Sequence, residues 1–411
     1  MDKKRNLKAV FALGLVSALA ACGSTGASQA ASQAPSAAAP QSAAAPQSAA
    51  AASSYKFGVM GPFSGDLATY GQTMKQGLDL ALEQINAAGG INGAQVSADY
   101  LDTQCGAQGA ATAAAKIAAD TSYFAAIGDV CSSASLAAIP ILARAGVAEI
   151  SGDSSSPKIT ETMQQNGYTN FVRTIPSDPI VAKNLVKLSV AFLNKKSIAV
   201  IYSNDNFGQG LWAYQQDEIT AEGATLADAE SYTPGTTKDF SAQLTKMAAN
   251  HPDVLIIDGY YSDAGPIVSQ MARAGLSGVS VVAAAGVDQQ GFIDLGGAAA
   301  EGAYVFTYYA PSDPNPANVK FVADYKAKYN TEPNEQAAYN YEIAFILKQA
   351  IEAGATRDTL ASVLHQETFN GPTGTTSFDK NGDVVGKGAV VLQVQGGKFV
   401  VNTAATAAVA K

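Results

Sequence analysis

The chain has 411 residues, enough for two or three domains, and 47% of them are apolar, enough to build a core. Charged residues make up only 15% and the net charge is −9, which excludes the basic footprint that nucleic-acid binding needs. Two His and three Cys argue against a multi-ligand zinc or haem centre, and 38 Gly and 16 Pro spread without a period exclude a collagen-like chain.

The N-terminus opens with Lys3, Lys4 and Arg5, followed by an uncharged run from Ala9 to Ala21. That run is too short for a helical span, which needs about 20 residues, and fits a secretory signal. It ends in Leu19-Ala20-Ala21-Cys22-Gly23, which resembles the bacterial lipobox. The resemblance implies cleavage before Cys22, so that residues 1–21 are a lipoprotein signal peptide, and lipidation of Cys22. The alternative is a plain signal peptide with an incidental Cys. Gly23 to Ser54 holds only Ala, Ser, Gln, Pro, Gly and Thr. Such a stretch buries too little apolar surface to offset its chain entropy. Residues 22–54 are therefore expected to be a lipidated Cys and a disordered tether, with a coil reach of roughly 30 Å.

From Tyr55 onward, strand and helix patterns alternate. Lys56–Met60 reads as a strand, and Met74, Leu78, Ala81, Leu82 and Ile85 form one face of a helix that Gly89-Gly90 stops. A strand is predicted at Val96–Leu101, a helix at Ala107–Ala119 and a short strand at Ala125–Ile127. A helix from Ser132 to Ala145 and a strand at Val147–Ile150 complete the first series. The second series has strands at Ser197–Tyr202, Asp253–Ile257 and Val279–Ala284, with helices at Gly208–Glu222, Phe240–Ala249 and Asp263–Ala274. Such alternation implies two doubly wound, parallel-sheet α/β domains. Ligands of open sheets sit beyond the carboxyl ends of the strands. That rule singles out the loops Gly61–Tyr70, Asp129–Ser135, Ser151–Ser156, Ser203–Gly208, Asp258–Asp263 and Ala285–Gln290.

Those loops are rich in hydroxyls. Cys131-Ser132-Ser133 opens a helix directly after a strand, and a helix start binds a carboxylate without a basic side chain. Ser151-Gly152-Asp153-Ser154-Ser155-Ser156-Pro157 adds hydroxyls and one acid. With the Gly61-Pro62-Phe63-Ser64-Gly65 entry, Tyr70, the Ile85–Gly93 turn, Asp102 with Cys105, Gly371-Pro372-Thr373-Gly374 and Phe378-Asp379 with Gly382-Asp383, the chain resembles the periplasmic leucine/isoleucine/valine-binding proteins of ATP-driven amino-acid importers. The resemblance runs over essentially Lys56–Val401 and implies the type I periplasmic-binding fold, in which two lobes close over an amino acid. It implies that Ser132 and Ser155, with Ser154 beside them, bind the α-carboxylate. Tyr70 and Val130 would line the side-chain pocket, and Phe207 and Tyr260 would cover the ligand. The family's acid for the α-ammonium falls here on Ala285. Asp153, standing where the family uses a backbone carbonyl, is expected to supply the missing charge, with Asp288 as the weaker substitute. Each residue also has a plain role open to it: Ser as a cap or turn former, Asp153 as a solvated turn residue, the aromatics as packing. Cys105 and Cys131 are either free buried thiols or paired, and export to an oxidising compartment favours pairing.

Enzyme readings find little support. The only histidines are His251 and His365, and no nucleophile elbow, Walker loop, His-Glu-x-x-His or GxGxxG dinucleotide loop occurs. No catalytic residue, metal ligand or cofactor is expected. Three hinge strands are expected at Arg173–Ser177, near Tyr308–Asp313 and near Phe369–Ser377. They divide the chain into a first lobe of residues 55–172 with 307–371 and a second of 173–306 with 372–403; residues 404–410 are expected to fray. The reading is a monomeric, lipid-anchored solute-binding protein of the bacterial cell envelope, on a periplasmic or extracellular face. It would capture an amino acid, branched-chain or small aliphatic, and deliver it to an ABC permease. The alternatives are a ligand-sensing receptor domain and a binder of a carboxylate, amide or aromatic acid on the same fold.

Overall fold

The computed structural model describes residues 54–410; the signal segment, Cys22 and nearly all of the expected tether lie outside the described residues. Ser54, expected as the tether's last residue, opens the first strand. Strands β1 (Ser54–Gly61), β2 (Gln95–Asp102), β3 (Tyr123–Ile127), β4 (Glu149–Ser151) and β5 (Phe171–Arg173) form one parallel sheet in the order β2-β1-β3-β4-β5. Between them lie helices α1 (Ala68–Ala87), α2 (Ala107–Ala119), α3 (Ser132–Arg144) and α4 (Pro157–Asn166). The predicted stripe on α1 is the buried one: Met74, Leu78, Ala81, Leu82 and Ile85 all face the core.

After β5 the chain crosses at residues 174–177 into α5 (Asp178–Lys187) and a second sheet. This sheet begins with β6 (Ser197–Ser203), α6 (Asn206–Ala221), β7 (Thr225–Tyr232), α7 (Ser241–Ala248) and β8 (Val254–Asp258). It continues through α8 (Tyr261–Met271), β9 (Ser280–Ala283), α9 (Gln290–Gly296) and β10 (Tyr304–Thr307). The chain then returns to the first lobe, where α10 (Pro316–Tyr329) and α11 (Glu335–Glu352) lie, α11 running along α1. The approach is close: a Cβ at Gly77 would sit 2.0 Å from the Ala337 carbonyl oxygen, so only glycine fits there.

Helix α12 (Leu360–Leu364) leads to a small antiparallel sheet of β11 (Thr368–Gly371), β12 (Gly374–Phe378) and β13 (Val384–Val385). The expected third hinge strand at Phe369–Ser377 is instead this hairpin. Glu342 of α11 pins it, accepting the Thr373 amide at 3.0 Å and the Thr373 hydroxyl at 2.8 Å. The lobe boundary expected at Gly371 therefore falls inside a hairpin, and the chain reaches the second sheet only after Val385. There β14 (Val390–Gln395) and β15 (Lys398–Val401) complete the order β15-β14-β10-β9-β8-β6-β7. The sheet is parallel from β7 to β10 and antiparallel at β14 and β15. The C-terminus does not fray as expected: α13 (Thr403–Val409) is capped by the Asn402 side chain and buries Ala405 and Val409. Among the described residues, no helix is long and apolar enough to cross a membrane.

Candidate ligand-binding site

The carboxyl ends of β1, β3, β4, β6, β8 and β9 converge on one cavity, the place where open α/β sheets bind their ligands. Its wall includes Tyr70, Val130, Ser132, Asp153, Ser155, Phe207 and Tyr260. The structure thus brings seven of the nine sequence-predicted ligand residues together, and Ser154 and Asp288 lie elsewhere. Ser154 is fully buried, its hydroxyl donating to the Asp129 carbonyl at 2.9 Å and paired with Ser135 at 2.8 Å. Asp288 follows a short turn at Ala285–Val287 that aims it away, toward the Thr307 hydroxyl at 3.2 Å. Ala285 itself stands in the wall, without charge.

The hydroxyl end is held from beneath. Cys131 caps α3 without a side-chain hydrogen bond, because its sulfur is bonded to Cys105, so the first N–H groups of α3 keep their field for an anion. The Ser132 oxygen accepts the Ser156 amide at 3.1 Å, tying the start of α3 to the Ser-rich loop. Arg173, fully buried, fastens the same loop. It donates to the carbonyls of Ser154 (3.2 Å) and Ser156 (2.9 Å) and to the Thr160 hydroxyl (2.7 Å), and pairs with Asp383 at 2.6 Å. Asp129 lies below, accepting from the Thr103 hydroxyl at 2.6 Å and the Cys131 amide at 3.0 Å; burial pushes its carboxyl up to about 6.

The second lobe supplies aromatics. Phe207 and Tyr260 stand 5.5 Å apart, ring to ring, and the Tyr260 hydroxyl donates to Asp205 at 2.6 Å. Asp205 is the side-chain cap of α6, accepting from Phe207 N and Gly208 N, both at 3.1 Å. Hydrogen bonds between the lobes surround the mouth. The Tyr70 hydroxyl donates to the Gly286 carbonyl, and the Tyr261 hydroxyl to the Asp66 carbonyl at 2.9 Å. Gln289 donates to Gln336 at 2.6 Å, and Lys238 pairs with Asp66 at 2.8 Å. Tyr261 is absent from the cavity wall and serves this rim.

Ile175, Gly286, Glu335 and Gln336 also line the cavity and were not legible in the sequence. Glu335 is fully buried in the first turn of α11, directly after the Asn334 cap. An acid there reads as an ordinary helix-start residue, and only the fold shows that this helix start reaches the cleft. Asp153 is pushed up to about 7 by burial, and Glu335 to about 8 by burial and the neighbouring Asp288.

A parallel and a mixed sheet joined by crossings, with hydroxyls and acids on one wall of the interlobe cavity and aromatics on the other, define a two-lobed small-molecule receptor of the type I periplasmic-binding fold. The family pattern of periplasmic binding proteins matches residues 54–398, and the chain belongs to that family. A leucine-, isoleucine-, valine-, threonine- and alanine-binding protein of Pseudomonas aeruginosa is 29% identical over 335 residues, 81% of this chain and 88% of that protein. A leucine-binding protein of Thermotoga maritima superposes with a TM-score of 0.78 at 29% identity, over 85% of this chain and 98% of its own. The substrate-binding protein of a branched-chain amino acid transporter from Streptococcus pneumoniae, in complex with isoleucine, gives 0.78 at 26% identity, over 85% and 100%.

Proposed function

We propose that this protein is the extracytoplasmic solute receptor of an ABC importer, capturing a branched-chain or other small aliphatic amino acid between its lobes and handing it to the permease. One observation carries the reading. A single cavity is lined by two serines (Ser132, Ser155), an aspartate (Asp153) and an apolar wall of Val130, Ile175, Phe207 and Tyr260. A zwitterion with an aliphatic side chain matches all three surfaces. The amino acids named for the relatives support the same class. Only a closed cleft lets both lobes touch such a ligand, so binding favours closure. The lipobox at Cys22 supports a lipid anchor on the outer face of a bacterial membrane, and the absence of catalytic motifs from the sequence supports capture without chemistry.

The test is a thermal-shift screen of the twenty amino acids against residues 23–411. A ligand at 100 times its Kd stabilises by about 2.7 kcal/mol. Leucine, isoleucine or valine should give the largest shift, and a screen in which none of the twenty moves the transition refutes the assignment.

A further inference from the structure

We propose that Glu335 joins Asp153 in holding the ligand's ammonium, so that every charged or hydroxyl contact to an α-amino acid comes from one lobe and the other lobe acts as an apolar lid. This rests on the amino-acid reading above and names residues that complete it.

Each acid is oriented by one oxygen and keeps the other free. Asp153 Oδ2 accepts from Asn340 Nδ2 at 3.2 Å, while its Oδ1 is buried without a partner. Glu335 Oε2 accepts from the Thr307 hydroxyl and from the Tyr308 amide at 2.7 Å, while its Oε1 is likewise buried and unpartnered. Both residues stand in the wall of the same cavity, and that wall contains no Lys, Arg or His. A buried acid oxygen with no donor is costly unless a cation or donor meets it. Both acids line the cavity, and an ammonium arriving there has three N–H groups to share between them.

Asp153 sits in the loop after β4, and Glu335 opens α11, which packs along α1. Both belong to the lobe that carries Ser132 and Ser155. The opposite wall offers Phe207, Tyr260, Ala285 and Gly286, with no charge. The ionisable groups facing the pair are themselves acids or phenols: Asp288, Tyr308 and Tyr339 around Glu335, and Asp129, Tyr70 and Tyr339 around Asp153. Surrounded in this way, the pair holds protons up to neutral pH, and an arriving ammonium displaces them. The ligand class follows: it carries a protonated amine beside its carboxylate. A des-amino acid would bring no ammonium to displace those protons, and the wall has no Lys, Arg or His to offer it.

Isothermal calorimetry at pH 7.4 on the parent protein and on Glu335→Gln tests this, with L-leucine and 4-methylpentanoate as probes. The glutamine keeps an acceptor for Thr307 and Tyr308. Expected is a 10- to 100-fold loss for leucine and less than a 3-fold change for 4-methylpentanoate. Leucine binding to the parent, measured in phosphate and in Tris, should release protons. That measurement needs no variant and stands even if Glu335→Gln fails to fold. Unchanged leucine affinity in Glu335→Gln, or no proton release from the parent, overturns the role of Glu335 while leaving the amino-acid reading intact. A parent that binds 4-methylpentanoate more tightly than any amino acid sinks both.

Discussion

Ser132→Ala removes a hydroxyl with two jobs. In the folded chain its oxygen accepts the Ser156 amide at 3.1 Å, and the residue is only 2% exposed. The substitution leaves that N–H unpaired inside the loop carrying Asp153 and Ser155, at about 1–3 kcal/mol of stability. The hydroxyl proton, not needed by Ser156, is available to the ligand carboxylate. A hydrogen bond to a charged group contributes about 1.5–3 kcal/mol, so losing it should raise Kd roughly 10- to 150-fold. Two assays separate the jobs: urea unfolding of the ligand-free protein, and calorimetry with L-leucine and 4-methylpentanoate. Both ligands should weaken by the same factor, because the carboxylate is common to them. A variant that unfolds earlier yet binds as tightly as the parent would show that Ser132 only fastens the loop and that the carboxylate is held elsewhere.

Asp153→Asn should weaken leucine by roughly 2–5 kcal/mol while leaving 4-methylpentanoate nearly unchanged; equal losses would mean a damaged pocket. Arg173→Met strands Asp383 and two loop carbonyls and should lower stability by about 3 kcal/mol in urea; a loss under 1 kcal/mol refutes the fastening role. Replacing Cys105 and Cys131 by Ser opens a closed loop spanning 26 positions and should cost on the order of 3–4 kcal/mol by the chain-entropy model. A thiol titration of denatured, unreduced residues 23–411 should find none, and one titratable thiol sinks the pairing. Stability should fall as pH rises from 5 to 8. Burial raises Glu149 and Asp258 well above the usual carboxylate range, Asp129 to about 6, Asp153, Asp178 and Asp288 to about 7 and Glu335 to about 8. The folded state therefore binds more protons than the unfolded one across that window. A melting temperature that climbs steadily from pH 5 to 8 refutes this.

The parts legible in the sequence were those set by local pattern. Helix α2 occupies the predicted span of Ala107–Ala119, and the buried stripe of α1 is the predicted one. The hydroxyl loops after the strands do reach the cleft. What escaped depends on contacts distant in sequence. Helix α11 is buried nearly all round, so it shows no amphipathic stripe, and Glu335 at its start had no signal of its own. Ser154 and Ser155 are indistinguishable as neighbours in a turn. The Asp129 carbonyl, 25 positions earlier, draws Ser154 inward and leaves Ser155 in the wall. In α13 the small residues suggested fraying, but Ala405 and Val409 lie four apart on one buried face.

The bonds around the cavity mouth bear on timing. Tyr70–Gly286, Tyr261–Asp66, Gln289–Gln336 and Lys238–Asp66 all join one lobe to the other through the protein's own atoms. Each neutral hydrogen bond contributes about 0.5–1.5 kcal/mol net, and the exposed ion pair less. Together they weight the hinge toward the shut position before any solute arrives. The observed affinity is then divided between intrinsic fit and the share of molecules already shut or still open. Loosening the rim, for instance with Tyr261→Phe, would raise the open population and speed loading, while letting captured solute escape sooner. A transporter fed by such a receptor would see its supply rate set at the rim and its selectivity set in the cavity, two properties that selection can tune apart.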